Sequence, residues 1–190
     1  MNSRFLKYLI CVVVFGLAAI TSSPAYAACA QPILENIPST TWSYRDTTEF
    51  DDPDLGIAYR YFSGPTWAEL YLYDNGYEFI DNAIVEQHFG QVVRDIYTAA
   101  SVKLPEAELS DPYVLSDGFS EEFEFIRETA LVLLTAPDSA RVSLVSLGTI
   151  DNCFAKIRLS AQGEHLTQGL VDATISAMFS FARLIDARLE

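Results

Sequence analysis

The segment Ile57–Tyr73, IAYRYFSGPTWAELYLY, decides the fold: two runs rich in aromatic and aliphatic residues flank Ser63-Gly64-Pro65-Thr66. Runs of this kind around turn-forming residues predict a β-hairpin. A four-residue loop sets Phe62 opposite Trp67, Arg60 opposite Glu69 and Ala58 opposite Tyr71. Successive side chains of a strand point to opposite faces, so Ile57, Tyr59, Tyr61, Ala68, Leu70 and Leu72 share the other face. That set has no charged member and belongs against the core. The first set holds an Arg–Glu pair among aromatics, as a half-exposed face does. Asp74-Asn75-Gly76 ends the hairpin with turn chemistry.

On the C-terminal side, Asn82–Ser101 has helical period. Ile84, Val85, Phe89, Val92, Val93, Ile96 and Tyr97 form one stripe, with Asp81 or Asn82 as cap and Pro105 beyond the end. Ser110–Gly118 reads as a loop with one short strand. Phe123–Leu134 alternates, with Phe123, Phe125, Arg127 and Thr129 against Glu122, Glu124, Ile126 and Glu128. That favours a strand, although ETALVLL alone is compatible with a helix. Val142–Ile150 and Cys153–Leu159 predict a second hairpin around Asp151-Asn152. A long final helix then runs from about Leu166 to Leu189, with Leu170, Val171, Ile175, Met178, Phe179, Ala182 and Ile185 on its stripe. On the N-terminal side, Trp42–Thr48 is a candidate strand and Glu49-Phe50-Asp51-Asp52-Pro53-Asp54 an acidic turn.

Strands joined by short loops pair antiparallel, and two amphipathic helices need a sheet to cover. The expected fold is α+β: an antiparallel sheet of about five to six strands with two helices packed on it. This order, with LGIAYRYF, WAELYLYDNG and then CFAKIRLS before the last helix, resembles the PsbP-like fold. That fold is named for an extrinsic photosystem subunit and shared by many small exported bacterial proteins. The resemblance implies an architecture and an exported setting. It transfers no ligand residue.

Residues 1–27 read as a secretory signal peptide. Arg4 and Lys7 precede the apolar run Leu9–Ile20, and Ala25-Tyr26-Ala27 has the small-x-small form of a cleavage site. The run is shorter than the ~20 residues that span a bilayer, so no integral membrane segment is expected after cleavage. Residues 28–41, with Pro32 and Pro38, read as an extended arm, and residues 42–190 as a single α+β domain large enough for a real core.

Removing residues 1–27 takes away Arg4 and Lys7 and no acidic residue, so the formal charge moves from −14 to −16. Such a chain repels nucleic acid and anionic membrane surfaces. It suits solubility or a cationic partner. Cys29 and Cys153 remain, and an even pair in an exported protein predicts one disulfide. The competing reading makes Cys29 a lipidation site, because small residues precede it; Tyr26 then stands where an aliphatic residue is usual.

No nucleophile elbow, P-loop, dinucleotide-binding glycine motif or zincin motif is present. His88 and His165 read as structural residues. Asp51, Asp52 and Asp54 suggest a calcium loop, but Phe62 falls where an EF-hand needs its last glutamate, leaving only a looser set with Glu49. Glu121, Glu122, Glu124 and Glu128 read as a solvated edge. No catalytic residue, metal or cofactor is therefore assigned.

The candidate binding surface is Arg60, Phe62, Trp67, Glu69, Tyr71 and Tyr73, an aromatic face with few polar groups. It reads as a contact face for a protein partner, as one wall of a site for a small apolar ligand, or as a core layer under the 28–41 arm. The function expected first is that of a periplasmic or secreted, non-enzymatic accessory or protein-interaction domain. A small-ligand-binding module is the alternative.

Overall fold

The computed structural model describes Cys29 and residues 34–189; the signal-peptide reading of residues 1–27 lies outside them. Strands β2 (Ile57–Ser63) and β3 (Thr66–Tyr73) form the expected hairpin, with Phe62 paired to Trp67, Arg60 to Glu69 and Ala58 to Tyr71. On its inner face Tyr59, Tyr61, Ala68, Leu70 and Leu72 are all buried. β1 (Ser43–Glu49) pairs with β2 at one edge. Across the sheet, β3 pairs with β8 (Cys153–Gly163), β8 with β7 (Ser139–Ile150) and β7 with β6 (Ile126–Ala136), all antiparallel. The β7–β8 turn is Asp151-Asn152, both at positive φ (48° and 62°), which matches the twist of the flanking strands.

The sheet has 8 strands, more than the five to six expected. Two of them are the two-residue β4 (Glu108–Leu109) and β5 (Tyr113–Val114), which both pair with β6. β5 is the short strand expected within Ser110–Gly118, whereas only its pairing with β6 reveals β4. A second difference lies at Phe123–Phe125, where alternation favoured a strand. Ser116–Ser120 forms a short helix, α2, and tight turns follow as far as Ile126. Phe119, Phe123 and Phe125 are all buried there, so the alternation reflects packing rather than a ladder.

Two long helices complete the fold. α1 (Asn82–Lys103) is capped by the Asp81 carboxylate, which accepts from the Ile84 N–H at 2.9 Å. α3 spans Gln168–Leu189. The helices cover opposite faces, giving three layers. α3 brings Met178, Phe181, Ala182 and Ile185 onto the face carrying Tyr59, Tyr61, Leu70, Leu144 and Ile157. α1 brings Val85, Val92, Ile96 and Ala100 onto the face carrying Val132, Val145, Leu147 and Phe154. Strands read as apolar on both faces when both are covered, and β7 is buried almost throughout. Among the described residues no helix is long and apolar enough to cross a membrane.

Gly148 lies where β7 crosses the end of the Phe123–Phe125 turn. A Cβ there would collide with the Phe125 carbonyl oxygen, which accepts from Thr149 N–H at 3.0 Å. Only glycine lets the two backbones meet.

The N-terminal segment belongs to the α3 layer. Tyr61 donates its hydroxyl to the Leu34 carbonyl at 2.6 Å and accepts from Ile37 N–H at 3.2 Å. Trp42 packs on Phe181 with ring centroids 4.9 Å apart. The Cys29–Cys153 disulfide then ties this segment to the start of β8 across 124 residues. The bridge takes the Cys29 sulfur that a lipid thioether would need.

Closing a loop of this size limits the unfolded chain. The double variant Cys29→Ser, Cys153→Ser should lose about 4–5 kcal/mol on the chain-entropy estimate, read from urea unfolding midpoints. A loss below about 1 kcal/mol would show that the arm is held by its packing alone.

Candidate functional site

All six residues of the sequence-derived surface lie on the α1 side of the sheet, and the structure brings them into one interacting row. Arg60 donates through Nε to Glu69 Oε1 at 3.0 Å and reaches Asp46 on β1 at 3.4 Å. Glu69 also accepts from the Tyr71 hydroxyl at 2.9 Å. The Arg45 guanidinium lies 5.5 Å from the centre of the Phe62 ring, and that of Arg141 lies 5.0 Å from the centre of Trp67. Tyr73 is buried and the other five are half-buried. The row is not a core layer under the arm, since Leu34, Ile37 and Trp42 pack in the α3 layer.

Geometry explains the partial cover. α1 packs chiefly over β6 and β7. A helix is about 10 Å across and strands lie about 4.8 Å apart, so one helix shields roughly two strands. β8, β3 and β2 are left beside its flank, and a cavity of about 420 Å³ opens there. Tyr71 and Tyr73 form its floor with Lys156 of β8. His88, Gln91, Val92 and Asp95 of α1 form one wall, and Phe50, Leu55 and Asn75 from loops form the other. Phe50 stacks on Tyr71 with centroids 6.3 Å apart and planes 18° apart.

The polar groups of the cavity are few and individually held. Lys156 Nζ sits 4.2 Å from the centre of the Tyr71 ring and 5.4 Å from that of Tyr73, a cation–π arrangement in place of a carboxylate partner. Burial pulls its pKa below the usual lysine value; Asp95 opposes this and Arg158 adds to it. Burial holds both tyrosine hydroxyls well above the ordinary phenol range, reinforced at Tyr71 by Glu69 and at Tyr73 by Asp95. The Tyr73 hydroxyl meets His88 Nε2 at 2.9 Å, and the imidazole lies 4.6 Å from the Phe154 ring. Burial, then the Lys156 charge, lowers the His88 pKa, with Asp95 acting the other way.

Sequence reasoning missed Lys156, His88 and Asp95 as members of this site. The signal for Lys156 was present. In CFAKIRLS the positions Phe154, Lys156, Arg158 and Ser160 alternate with Ala155, Ile157 and Leu159, so two cations share a face with Phe154 in a strand buried on both sides. His88 had no such mark, because its meeting with Tyr73 is tertiary. Other sequence candidates lie elsewhere. Cys29 and Cys153 form the disulfide, and Glu122 pairs with Arg183 of α3 at 2.6 Å. Glu128 accepts from the Ser116 hydroxyl at 2.7 Å. Among the described residues no group of His, Cys, Asp and Glu is placed to hold a metal ion, so Glu49, Asp52 and Asp54 make no such group. The chain matches no protein-family model and no curated protein.

The lowered pKa of His88 carries a sign for stability. The fold favours the neutral ring, so this contribution is complete above the ordinary value of 6.5 and is lost as the pH falls from there through the lowered folded value. Lowering the pH from about 7.5 to about 5.5 should reduce the melting temperature, and His88→Gln should flatten that dependence. An unchanged slope in the variant would place the titrating group elsewhere.

Proposed function

We propose that this is an exported, non-enzymatic binding module that takes a small ligand with an apolar or aromatic body into the cavity between the hairpin and α1. The observation that carries this reading is the cavity itself. It has the size of a small-molecule site, three aromatic rings in its lining (Phe50, Tyr71 and Tyr73) and a few converging polar groups in Lys156, His88 and Asp95. The half-burial of the hairpin aromatics supports a site of this kind over a flat protein-contact face. Export accounts for the disulfide, since such bridges persist in oxidising compartments, and the signal-peptide reading of residues 1–27 points the same way. The PsbP-like resemblance enters the proposal as setting alone, that of a small exported bacterial protein.

The site selects by shape and ring stacking. A flat apolar ring can lie beside Phe50 against the Tyr71–Tyr73 floor, gaining aromatic contact. Lys156 stands ready to meet an acceptor on its rim. A ligand with a second positive charge would face this ammonium across a low-dielectric space and be rejected.

NMR titration of the oxidised protein with indole, benzoate and benzylamine tests this. Indole and benzoate should give saturable shifts confined to residues lining the cavity, with benzylamine weakest. Tyr71→Ala should weaken binding at least about tenfold, and Val92→Trp, which fills the space, should abolish it. Shifts spread over the exposed surface, or equal in Val92→Trp, would sink the small-ligand reading. Capture of a protein that needs Trp67 and Tyr71 would restore the interaction-domain reading.

A further inference from the structure

Beneath the C-terminal end of α1 lies a second cavity, of about 170 Å³, built from other residues. Small side chains make the space. Ser143 lies on its floor, its buried hydroxyl meeting that of the cross-strand Ser160 at 3.2 Å, and Ala99 and Ala100 of α1 lie above it. On the same face Arg158 stands one rung away along β8, and Arg141 one rung the other way along β7, so the two guanidinium groups flank the serine pair. Lys103 adds a third positive charge at the rim.

Three cations line this cavity against one acidic residue, Glu69, the cross-strand neighbour of Arg158. Glu69 is already engaged by Arg60 Nε and the Tyr71 hydroxyl. Among the described residues no carboxylate forms an ion pair with Arg141 or Arg158. Nε of both arginines is shut off from solvent, and among the described residues neither has a hydrogen-bond partner. Buried donors of this kind are normally satisfied. Burial, and then the charge of Arg158, also disfavour the charged form of Arg141. In a chain with formal charge −14, gathering three cations around one recess runs against the overall composition.

We propose that this cavity binds a small oxyanion, the carboxylate or phosphate group of a small molecule, through Arg141 and Arg158 with Lys103 at the rim. The guanidinium plane offers parallel donors that match two oxygens of either group. The anion relieves the repulsion between neighbouring cations. The Ser143 hydroxyl on the floor can turn its own proton toward a third oxygen, since it accepts from Ser160. A cavity of this size admits the oxyanion and a short substituent, which favours small metabolite-like anions over a polymer. The site shares no proposed contact with the aromatic cavity, so either can hold while the other fails.

The test is NMR of the arginine Nε–Hε groups in the oxidised, full mature chain. Sodium phosphate and sodium acetate are titrated separately, with ionic strength held constant by chloride. The resonances of Arg141 and Arg158 should move and saturate while those of exposed Arg45 and Arg183 stay in place. Saturation with phosphate alone assigns a phosphate group, and with acetate alone a carboxylate. Arg158→Gln should lose at least about tenfold in affinity, as expected for a charge-assisted contact. Because that arginine is partly buried, Lys103→Gln on the exposed last turn of α1 is the companion variant. It should weaken binding about threefold, the scale of a surface charge, with an unchanged melting temperature. The proposal is overturned if neither anion saturates these two resonances, if Arg45 and Arg183 shift equally, or if both variants bind as the native protein does.

Discussion

The constraint on which the rest of this structure depends is width. Six long strands side by side make a sheet of roughly 29 Å, and each face receives one long helix of about 10 Å. Both faces carry apolar residues, because β6, β7 and β8 are buried above and below. One helix per face cannot cover what the strands expose, so each face needs a second source of cover. The two faces find it differently, and that difference creates the candidate sites.

On the α3 face the supplement is large and apolar. Leu34, Ile37 and Trp42 close one side, and Phe119, Phe123 and Phe125 close the other. The aromatic contacts are close, with Phe119 and Phe179 stacked at 4.2 Å between centroids. Polar groups in this layer are satisfied internally, as in the buried Thr129–Ser146 hydroxyl pair at 2.8 Å and the Tyr61 hydroxyl on Leu34. The disulfide holds the outer part of the layer in place. This face is a packed core with a structural task.

On the α1 face only short loops supplement the helix, and the exposed flank is finished with amphipathic side chains. Tyr71, Trp67, Lys156, Arg158 and Arg141 put apolar stems or rings over the sheet and polar ends at its rim. Such side chains cannot fill space to the density of aliphatic packing, and the serine rung with the alanines above it leaves further room. The result is a pair of cavities on one flank, one aromatic and one cationic, within a protein of negative net charge. The positive potential is local.

What the sequence by itself determined is what local chemistry dictates. The alternation of Ile57–Tyr73 set the hairpin register residue by residue, since a slip of one would turn Tyr59, Tyr61 and Leu70 toward solvent. The 3.6-residue stripes marked both long helices to within a few residues of Asn82–Lys103 and Gln168–Leu189. The parity of the two cysteines left after residue 27 pointed to the bridge that closes the α3 layer. Tertiary structure alone decided three further matters. It placed the helices on opposite faces, because an amphipathic stripe states that a partner is needed and not which side supplies it. It recruited β4 to β6 through pairing that two residues cannot announce. It also brought His88 to Tyr73 and set Arg141 and Arg158 on either side of Ser143 and Ser160, meetings between positions 15 and 17 apart that exist only once the strands are in register.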